Sequence, residues 1–350
     1  MEVLVKSIGA DGLPYIIDTK KQSWIRDPNR INSSVFYLDP VWTETGKKTI
    51  RDESIDLSIA WIGVTGRLIE AITVYYLRDG NILWKNMIEV IVQRLMKLCI
   101  DRGDYCYFPK GSIAPNARLD QEAEMPKRRW ASDFGWMIAG LTRYYNVSGY
   151  KPAIELAGKL VNFLRDHGDY FDEEGRFLAD PVFAEVGERH YSESDLMIER
   201  EEKRRIGGHF HRHTYDLLAF LEYALATDDR GLIAFVRKGY EFAKTKGSPL
   251  VGFFPEIIAP NYPTSETCEV ADMIAIATKL SKSGFGDYWD DVDRWVRNQF
   301  AESQMRRYSW VYRINRPETI TPVAYNETSD RVAERNMGHS PVGPAQMTGL

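Results

Sequence analysis

Half of the chain's histidines fall within one short stretch. The segment "GGHFHRHTYDLLAFLEYA" (207–224) carries His209, His211 and His213 at alternate positions, just before an apolar helical pattern. Neutral imidazole is a metal ligand, a hydrogen-bond partner and a proton carrier near neutral pH. We therefore expect one or two of these side chains to face a polar site. The alternative, for at least one of them, is a solvent-exposed or helix-capping position.

A second stretch, "PTSETCEVADMIA" (263–275), places three acids and a cysteine within seven residues at the head of a helical pattern. We expect Ser265 or the threonine before it to cap that helix. The helix dipole favours negative charge in the first turn, so a thiol there is expected to be reactive or a good ligand. Glu266 and Cys268 do not share a helical face, but they converge if the helix begins after them. The alternative is a first-turn charge beside a small buried hydrophobe.

Two further carboxylates stand among apolar and aromatic residues. Glu256 lies in "GFFPEIIAPNYP" (252–263), surroundings that raise the pKa of a carboxyl and suit a general acid. Asp133 is flanked by tryptophans in "RRWASDFGWM" (128–137), an arrangement that suits sugar binding. The alternatives are an exposed loop glutamate and a helix-capping aspartate under core tryptophans.

Helical periodicity is the strongest signal for the elements that position these residues. Apolar residues recur at helical spacing in eight segments of about 15–20 residues, with few convincing strands between them. The predicted helices are 54–78, 83–101, 131–146, 151–166, 211–226, 230–245, 266–282 and 287–302.

The predicted helices come in pairs, and the second helix of each pair is followed by a glycine and an aromatic-rich loop. A glycine such as Gly168 or Gly247 suits the left-handed position that ends a helix. Repeated helical hairpins of this kind predict an all-α fold, an α/α toroid of the six-hairpin type. A complete ring needs twelve helices, so about eight predict a ring that is either incomplete or closed by segments without a clear helical pattern. Inner helices would line a central funnel, and loops at one end would build the site.

The flanks of the helical region differ from it. Residues 1–53 contain scattered prolines and are predicted to be irregular with short strands. Residues 54–304 are predicted to form the toroid. Residues 305–350 are predicted to be extended and partly disordered, since their last stretch is rich in glycine and proline without periodicity.

Composition narrows the class of function. The net charge of −5 argues against non-specific nucleic-acid binding, and 12% aromatic residues suit stacking on sugar rings. The longest apolar stretches fall short of the roughly 18 residues that span a bilayer, and the N-terminus shows no secretory signal pattern. Three irregularly spaced cysteines do not form a disulfide framework, so we expect a cytoplasmic protein.

The two motifs and the hairpins together resemble the bacterial β-L-arabinofuranosidases of glycoside hydrolase family 127 and their less characterised relatives. In that family a Gly-His-x-x-Arg segment opens a barrel helix, and a Glu-Thr-Cys follows at the head of another. The chain matches these motifs at 208–212 and 262–268. The resemblance implies a glycosidase acting on a small sugar or oligosaccharide. It implies Glu266 and Cys268 as zinc ligands, with His209 facing the sugar.

We assign catalytic roles to His209 and to Glu256, which stands for the acid/base carboxylate of that family. Further contacts with the carbohydrate are expected from side chains in and near the same motifs, namely His211, Arg212, Asp133, Trp136 and Tyr262.

The chain departs from that family in its cysteines. The family carries a Cys-Cys pair that supplies two more zinc ligands, and this chain has no cysteine after Cys268. A four-coordinate zinc would need histidine or carboxylate ligands from elsewhere. Because the family's proteins are longer, we also consider the chain a fragment of a longer protein.

Two other functions stay open. One is a non-catalytic toroid that binds a carbohydrate or a protein partner. The other is an isomerase, epimerase or lyase that uses His209 or His211 as a base.

Overall fold

The structure is a computed structural model that describes the helical hairpins and parts of the segments between them. The described residues are 8–9, 12–14, 41–43, 46–48, 60–108, 112–113, 134–178, 208–258 and 265–303. The N- and C-terminal boundaries expected near residues 53 and 304, and the segment 305–350, fall on residues outside this description.

Eight α-helices lie within the described residues, so the all-α class and the eight-helix count of the predicted toroid are confirmed. They are α1 (Ile62–Asp79), α2 (Ile82–Leu98), α3 (Phe134–Ser148), α4 (Lys151–Asn162), α5 (Phe210–Thr227), α6 (Arg230–Lys244), α7 (Thr267–Lys282) and α8 (Trp289–Trp295). Two of them continue as π-helical turns, α4 through Phe163–His167 and α8 through Val296–Phe300.

Short strands flank the first helices. They are β1 (Val41–Thr43), β2 (Gly46–Lys48), β3 (Ala60–Trp61), β4 (Ile100–Asp101), β5 (Cys106–Tyr107) and β6 (Ser112–Ile113). One sheet has the order β2-β1-β6-β3, with β1 and β6 parallel and the other pairs antiparallel, and β4 pairs with β5 in a hairpin. Strands β3 and β4 explain why α1 begins later and α2 ends earlier than the periodicity predicts.

Local chemistry sets the turns inside the first two hairpins. Gly80, between α1 and α2, has a φ of +66°, and the side chain of Asn81 caps α2 by accepting the amide of Leu83 (3.0 Å). Gly149, after α3, has a φ of +69°, and a proline in the first turn starts α4. Each connection is therefore too short for anything but a helical hairpin.

The glycines after α4 and α6 behave differently from the prediction. Gly168 has a φ of −83°, and the left-handed residue is Asp169, with a φ of +52°. Gly247 does not take a left-handed φ either. A Cβ on Gly247 would lie 2.2 Å from the carbonyl oxygen of Phe253, so a close backbone approach requires glycine there.

The chain divides into two compact units, and each has its own packed core. Unit 1 comprises Met1–Glu173 and Ala219–Ile233. In it α1 crosses α3 at two glycines, because a Cβ on Gly140 would lie 2.2 Å from the carbonyl oxygen of Gly66. The guanidinium of Arg143 in α3 binds two carboxylates, that of the buried Glu222 (2.8 Å) and that of the half-buried Glu70.

Unit 2 comprises Glu174–Leu218 and Ala234–Leu350. Its core includes the buried Trp295, whose Nε1 donates to the carbonyl of Pro249 (2.7 Å). Within the described residues no helix is long and apolar enough to cross a membrane. All three cysteines of the chain are buried thiols without a disulfide.

Candidate functional site

Backbone pairing in unit 2 joins the histidine segment to the loop that carries Glu256. The amide of Phe210 donates to the carbonyl of Glu256 (2.9 Å), and the amide of Ile258 donates to the carbonyl of Gly208 (2.9 Å). Gly208 has a φ of +112°, a conformation that favours glycine, at the entry to α5. The half-buried Glu256 and His209 are therefore held on adjoining backbone segments.

Helix α7 begins one residue after its first acid. Its N-cap is Glu266, in an extended conformation (φ −96°, ψ 152°) and without a side-chain capping bond. The expected cap by Ser265 is therefore wrong, and the threonine before it lies outside the described residues. Because Glu266 stands outside the helix, its side chain reaches Cys268, whose Sγ lies 3.1 Å from Oε2 of Glu266.

Three donor groups converge at this helix start. Glu266, Cys268 and Glu269 each offer a ligand atom, and these atoms lie within 4.8 Å of one another. Glu269 is fully buried, and its Oε1 has no hydrogen-bond partner in the part of the chain that the structure describes. A buried polar atom of this kind costs about 1–3 kcal/mol. The sequence reasoning noted Glu269 beside Cys268 but gave it no role.

Burial and like charge hold protons on this cluster. Burial raises the pKa of Cys268 well above its usual value, and the charges of Glu269, Glu266 and Asp272 raise it further. Burial also raises the pKa of Glu269, with the charges of Glu266 and Glu256 adding to the effect. The expectation of a thiolate stabilised by the helix dipole is therefore wrong for the metal-free protein, because burial outweighs the dipole.

The cluster fits a zinc ion with one open coordination position. Zinc takes thiolate and carboxylate ligands at about 2.0–2.3 Å, and catalytic zinc sites keep three protein ligands and a fourth position for water or substrate. The unpartnered oxygen of Glu269 gives a reason for a cation to bind there. Binding would release the protons that burial keeps on Cys268 and Glu269.

His209 lies beside the cluster as a neutral imidazole. It immediately precedes α5, and its Nδ1 accepts the amide of Arg212 (3.4 Å), so it caps the helix. An imidazole whose Nδ1 accepts an N–H carries its own proton on Nε2. That Nε2 lies 3.7 Å from Oε2 of Glu266. Burial, followed by the charge of Arg212, lowers the pKa of His209 well below its usual value.

His211 makes a short polar contact with a buried acid of α7. Its Nδ1 lies 2.7 Å from Oδ2 of Asp272, and the hydroxyl of Thr214 donates to the same oxygen (2.8 Å). Sequence reasoning assigned no role to Asp272. Its position four residues after Cys268, on the same face of α7, is the signal that could have found it.

His213 is a structural residue. Its two ring nitrogens each lie 3.0 Å from a carbonyl oxygen, of His209 and of Leu178, and its ring stacks on Phe177 with centroids 4.6 Å apart. Burial lowers the pKa of His213 to about 4, although both carbonyls oppose the shift. Since none of the three histidines is exposed, helix capping by His209 is the alternative that the structure bears out.

The other residues expected to contact the sugar do not all lie in unit 2. Arg212 is half-buried in unit 2, close enough to His209 for its charge to lower that pKa. Trp136 belongs to unit 1, where the guanidinium of Arg67 lies 4.2 Å from its ring centroid. Asp133 and Tyr262 lie outside the described residues.

Comparisons with known proteins return structural likeness without a sequence match. No protein-family model and no curated protein sequence matches the chain. Among solved structures, a glycoside hydrolase family 127 β-L-arabinofuranosidase from Geobacillus stearothermophilus T6 is similar at 17% identity and a TM-score of 0.45, over 68% of this chain and 36% of that one. The family named from the two sequence motifs is therefore among the structures that this chain resembles.

Two other solved structures are similar in the same range. A cellobiose 2-epimerase from Bacillus thermoamylovorans B4167 has 15% identity and a TM-score of 0.44, over 67% of this chain and 59% of that one. A glycosyl hydrolase family 88 protein from Bacteroides vulgatus has 11% identity and a TM-score of 0.46, over 81% and 70%. The chain thus spans less than two thirds of the arabinofuranosidase and the epimerase.

Proposed function

We propose that the protein is a carbohydrate-active enzyme of the glycoside hydrolase type, with a zinc ion held by Glu266, Cys268 and Glu269. The observation that carries the proposal is the buried Glu269, whose unpartnered oxygen lies in a cluster with a thiol and a second carboxylate. Strongly shifted groups that share one small region are typical of functional sites. The substrate class is a small sugar or oligosaccharide, as the sequence motifs imply.

The zinc ion, when bound, would supply Lewis acidity to a substrate oxygen or a bound water. Glu269 would be its most buried ligand, and it would take the place of part of the Cys-Cys pair that the resemblance leads one to expect. His209, with its proton on Nε2, would orient the carboxylate of Glu266, as partners of metal ligands commonly do.

Glu256 would be the acid/base carboxylate. It is half-buried, and it lies near enough to Glu269 for its charge to raise the pKa of that residue. A carboxyl group at such a position can donate a proton to the glycosidic oxygen and afterwards be reprotonated from solvent. Arg212 and His211 would contact the sugar from the first turn of α5.

Metal content and turnover test the proposal together. The purified full chain is analysed for bound zinc and assayed against a panel of aryl glycosides that includes β-L-arabinofuranosides. We expect about one zinc ion per chain and hydrolysis of at least one substrate. Cys268→Ser and Glu269→Gln should lose zinc, and Glu256→Gln should keep zinc and lose turnover. Glu241→Gln, at an exposed glutamate of the same unit, is the matched control and should behave like the wild type.

The alternative is a non-catalytic protein that binds carbohydrate or a protein partner. It rests on a departure from the resemblance, whose zinc site uses a Cys-Cys pair where the described cluster has the single thiol of Cys268. Saturable sugar binding with no zinc and no turnover would support this alternative and reject the enzyme.

A further inference from the structure

The side chain of His211 is fixed by a buried carboxylate on one side and flanked by two aromatic rings. Nδ1 lies 2.7 Å from Oδ2 of Asp272. The ring meets those of His209 and Tyr215 edge-on, with centroids 5.9 and 5.8 Å apart. The side chains of His211 and Asp272 are only 12% and 7% exposed. The imidazole therefore has one orientation.

Asp272 determines which nitrogen of His211 carries the proton. A carboxylate accepts hydrogen bonds, so the nitrogen that faces it must donate. Thr214 also donates to Oδ2 of Asp272, at 2.8 Å, and a hydroxyl donor leaves the carboxylate its role as acceptor. Neutral His211 consequently has its proton on Nδ1 and a lone pair on Nε2. Nε2 has no hydrogen-bond partner among the described residues.

The three histidines therefore differ in the partners of their ring nitrogens and in which nitrogen carries the proton. His209 accepts at Nδ1 and holds its proton on Nε2, and both nitrogens of His213 face backbone carbonyls. Among these three, His211 alone presents an unprotonated nitrogen that is free to accept a proton. Its partner Asp272 follows Glu269, a member of the cluster of two acids and a thiol, by one turn of α7.

We propose that His211 is the proton acceptor of this site and that Asp272 is its positioning residue. The inference rests on the proposed function, since it assigns the base of the same carbohydrate site. For a glycosidase, the sequence interpretation gave the catalytic role to His209 and a sugar contact to His211. It named either histidine as a base only for the isomerase, epimerase or lyase alternative.

His211 takes part by proton transfer only, while the bond from the anomeric carbon to the departing oxygen breaks and a new carbon–oxygen bond forms. The lone pair of Nε2 takes a proton from a hydroxyl group, of water or of the sugar, as that oxygen forms its bond to the anomeric carbon. His211 becomes an imidazolium, stabilised by the carboxylate of Asp272 through Nδ1–H. Glu256 gives its proton to the departing oxygen, so one proton leaves the nucleophile and one reaches the leaving group. Release of the proton from Nε2 to solvent restores His211, and uptake of a proton from solvent restores Glu256.

Nitrogen NMR of the histidine rings tests the positioning role without any substrate. In the ¹⁵N-labelled full chain, His211 should show a protonated Nδ1 and an unprotonated Nε2, with the signal assigned by its loss in His211→Gln. Asp272→Asn is nearly isosteric, and its amide can donate to Nδ1, so the tautomer should invert. Thr214→Val should keep the tautomer of the wild type. A wild-type His211 protonated on Nε2 would overturn the proposal.

Kinetics test the catalytic role. General-base catalysis typically contributes about 10²–10⁴-fold, so kcat should fall by that factor in His211→Ala and in Asp272→Asn, with KM nearly unchanged. Added imidazole should restore part of the activity of His211→Ala but none of Asp272→Asn. His167→Gln, at an exposed histidine of unit 1, is the matched control. An unchanged kcat in His211→Ala would overturn the assignment.

The positioning of His211 by Asp272 can be tested independently of the proposed function, whereas the catalytic role of His211 cannot. If the wild-type protein hydrolyses no glycoside, the proposed function and the catalytic role of His211 are both rejected. The NMR measurement would then still confirm or reject the positioning of His211 by Asp272.

Discussion

The two units differ in the partners of their buried carboxyl groups. In unit 1, Glu222 is 7% exposed and receives two hydrogen bonds of 2.8 Å from the guanidinium of Arg143, which also binds Glu70. In unit 2, Glu269 is fully buried beside Glu266 and a thiol, and its Oε1 has no hydrogen-bond partner within the described residues. One carboxylate is paired with a guanidinium, whereas burial raises the pKa of the other well above its usual value.

This difference indicates a structural role for the carboxylate in unit 1 and a ligand-binding role for the carboxylate in unit 2. A carboxylate paired with arginine stabilises the fold once both are in place, because removing either partner leaves a charge without compensation. Burial raises the pKa of Glu269, and burial together with the charge of Glu269 raises the pKa of Cys268. Burying such an acid destabilises the metal-free fold. Clusters of acids with strongly shifted pKa values are typical of sites that bind a ligand or carry out chemistry. The comparison predicts that replacing Arg143 in unit 1 and replacing Glu269 in unit 2 have opposite effects on the free energy of unfolding.

The largest effect is expected in unit 1. Arg143→Met should lower the free energy of unfolding by about 3 kcal/mol, at the lower end of the range for broken buried pairs, because Arg143 keeps 24% exposure. Urea unfolding measures the loss. Adding Glu222→Gln to this variant should recover part of it, and zinc content should not change. A loss below about 1 kcal/mol would remove the basis of the comparison.

Acid sensitivity is expected from a third kind of buried group, the neutral His213. Its pKa in the folded protein is about 4, below its ordinary 6.5. A lowered pKa contributes stability that is fully present above pH 6.5 and is lost as the pH falls towards 4. The reason is that His213 in the unfolded chain binds its proton at a higher pH than His213 in the folded protein. The gap corresponds to about 3 kcal/mol.

Unfolding free energies of the wild type and His213→Gln between pH 7 and pH 4 measure this term, after correction for the effect of the substitution at pH 7. The wild type should lose more stability than His213→Gln over the range. Equal slopes would show that His213 is not the group that titrates. His167→Gln, where the ring is exposed, should follow the wild-type profile.

A smaller effect of opposite sign is expected in unit 2. Glu269→Met removes a buried acid and should raise the free energy of unfolding by about 1–2 kcal/mol in the presence of a chelator. The same variant should weaken zinc binding by about 100-fold or more. Thermal unfolding with and without zinc measures both. Destabilisation of the metal-free protein would indicate that Glu269 is a structural residue like Glu222.

The smallest effect is expected from an ion pair on the surface of unit 2. Lys238 lies 2.7 Å from Glu174, with side chains 53% and 58% exposed. Lys238→Met should change the free energy of unfolding by less than about 0.5 kcal/mol, because solvent screens the pair. A change as large as that of Arg143→Met would mean that burial does not govern the comparison.

Much of the fold could be predicted from local pattern. All eight helices appear near their predicted positions, since a 3.6-residue apolar repeat is a property of each segment by itself. The exceptions are at the ends. Helix α1 starts at Ile62 because β3 occupies the two residues before it, and Gly247 is required by the approach of Phe253 rather than by its own φ. Strand pairing and close packing involve distant residues, so no window along the chain contains them.

The candidate site divides in the same way. The motifs identified Glu266, Cys268, His209 and Glu256, and whether these perform the proposed chemistry stays a prediction. Asp272 and Glu269 received no role, because their importance depends on what lies opposite them. Asp272 meets His211 across 61 positions of sequence, a contact that only the packing of α7 beside α5 creates.

The sequence by itself determined the helical hairpins, the placement of acids and a thiol at the head of α7, and the spacing of three histidines at the head of α5. These follow from residue type and short-range geometry. The tertiary structure decided the protonation of each group. Burial raises the pKa of Cys268 and of Glu269 and lowers that of His213, and a hydrogen bond to Asp272 selects the tautomer of His211. Solvent exclusion and partner orientation are properties of the folded environment, and they exist only after distant segments have packed together.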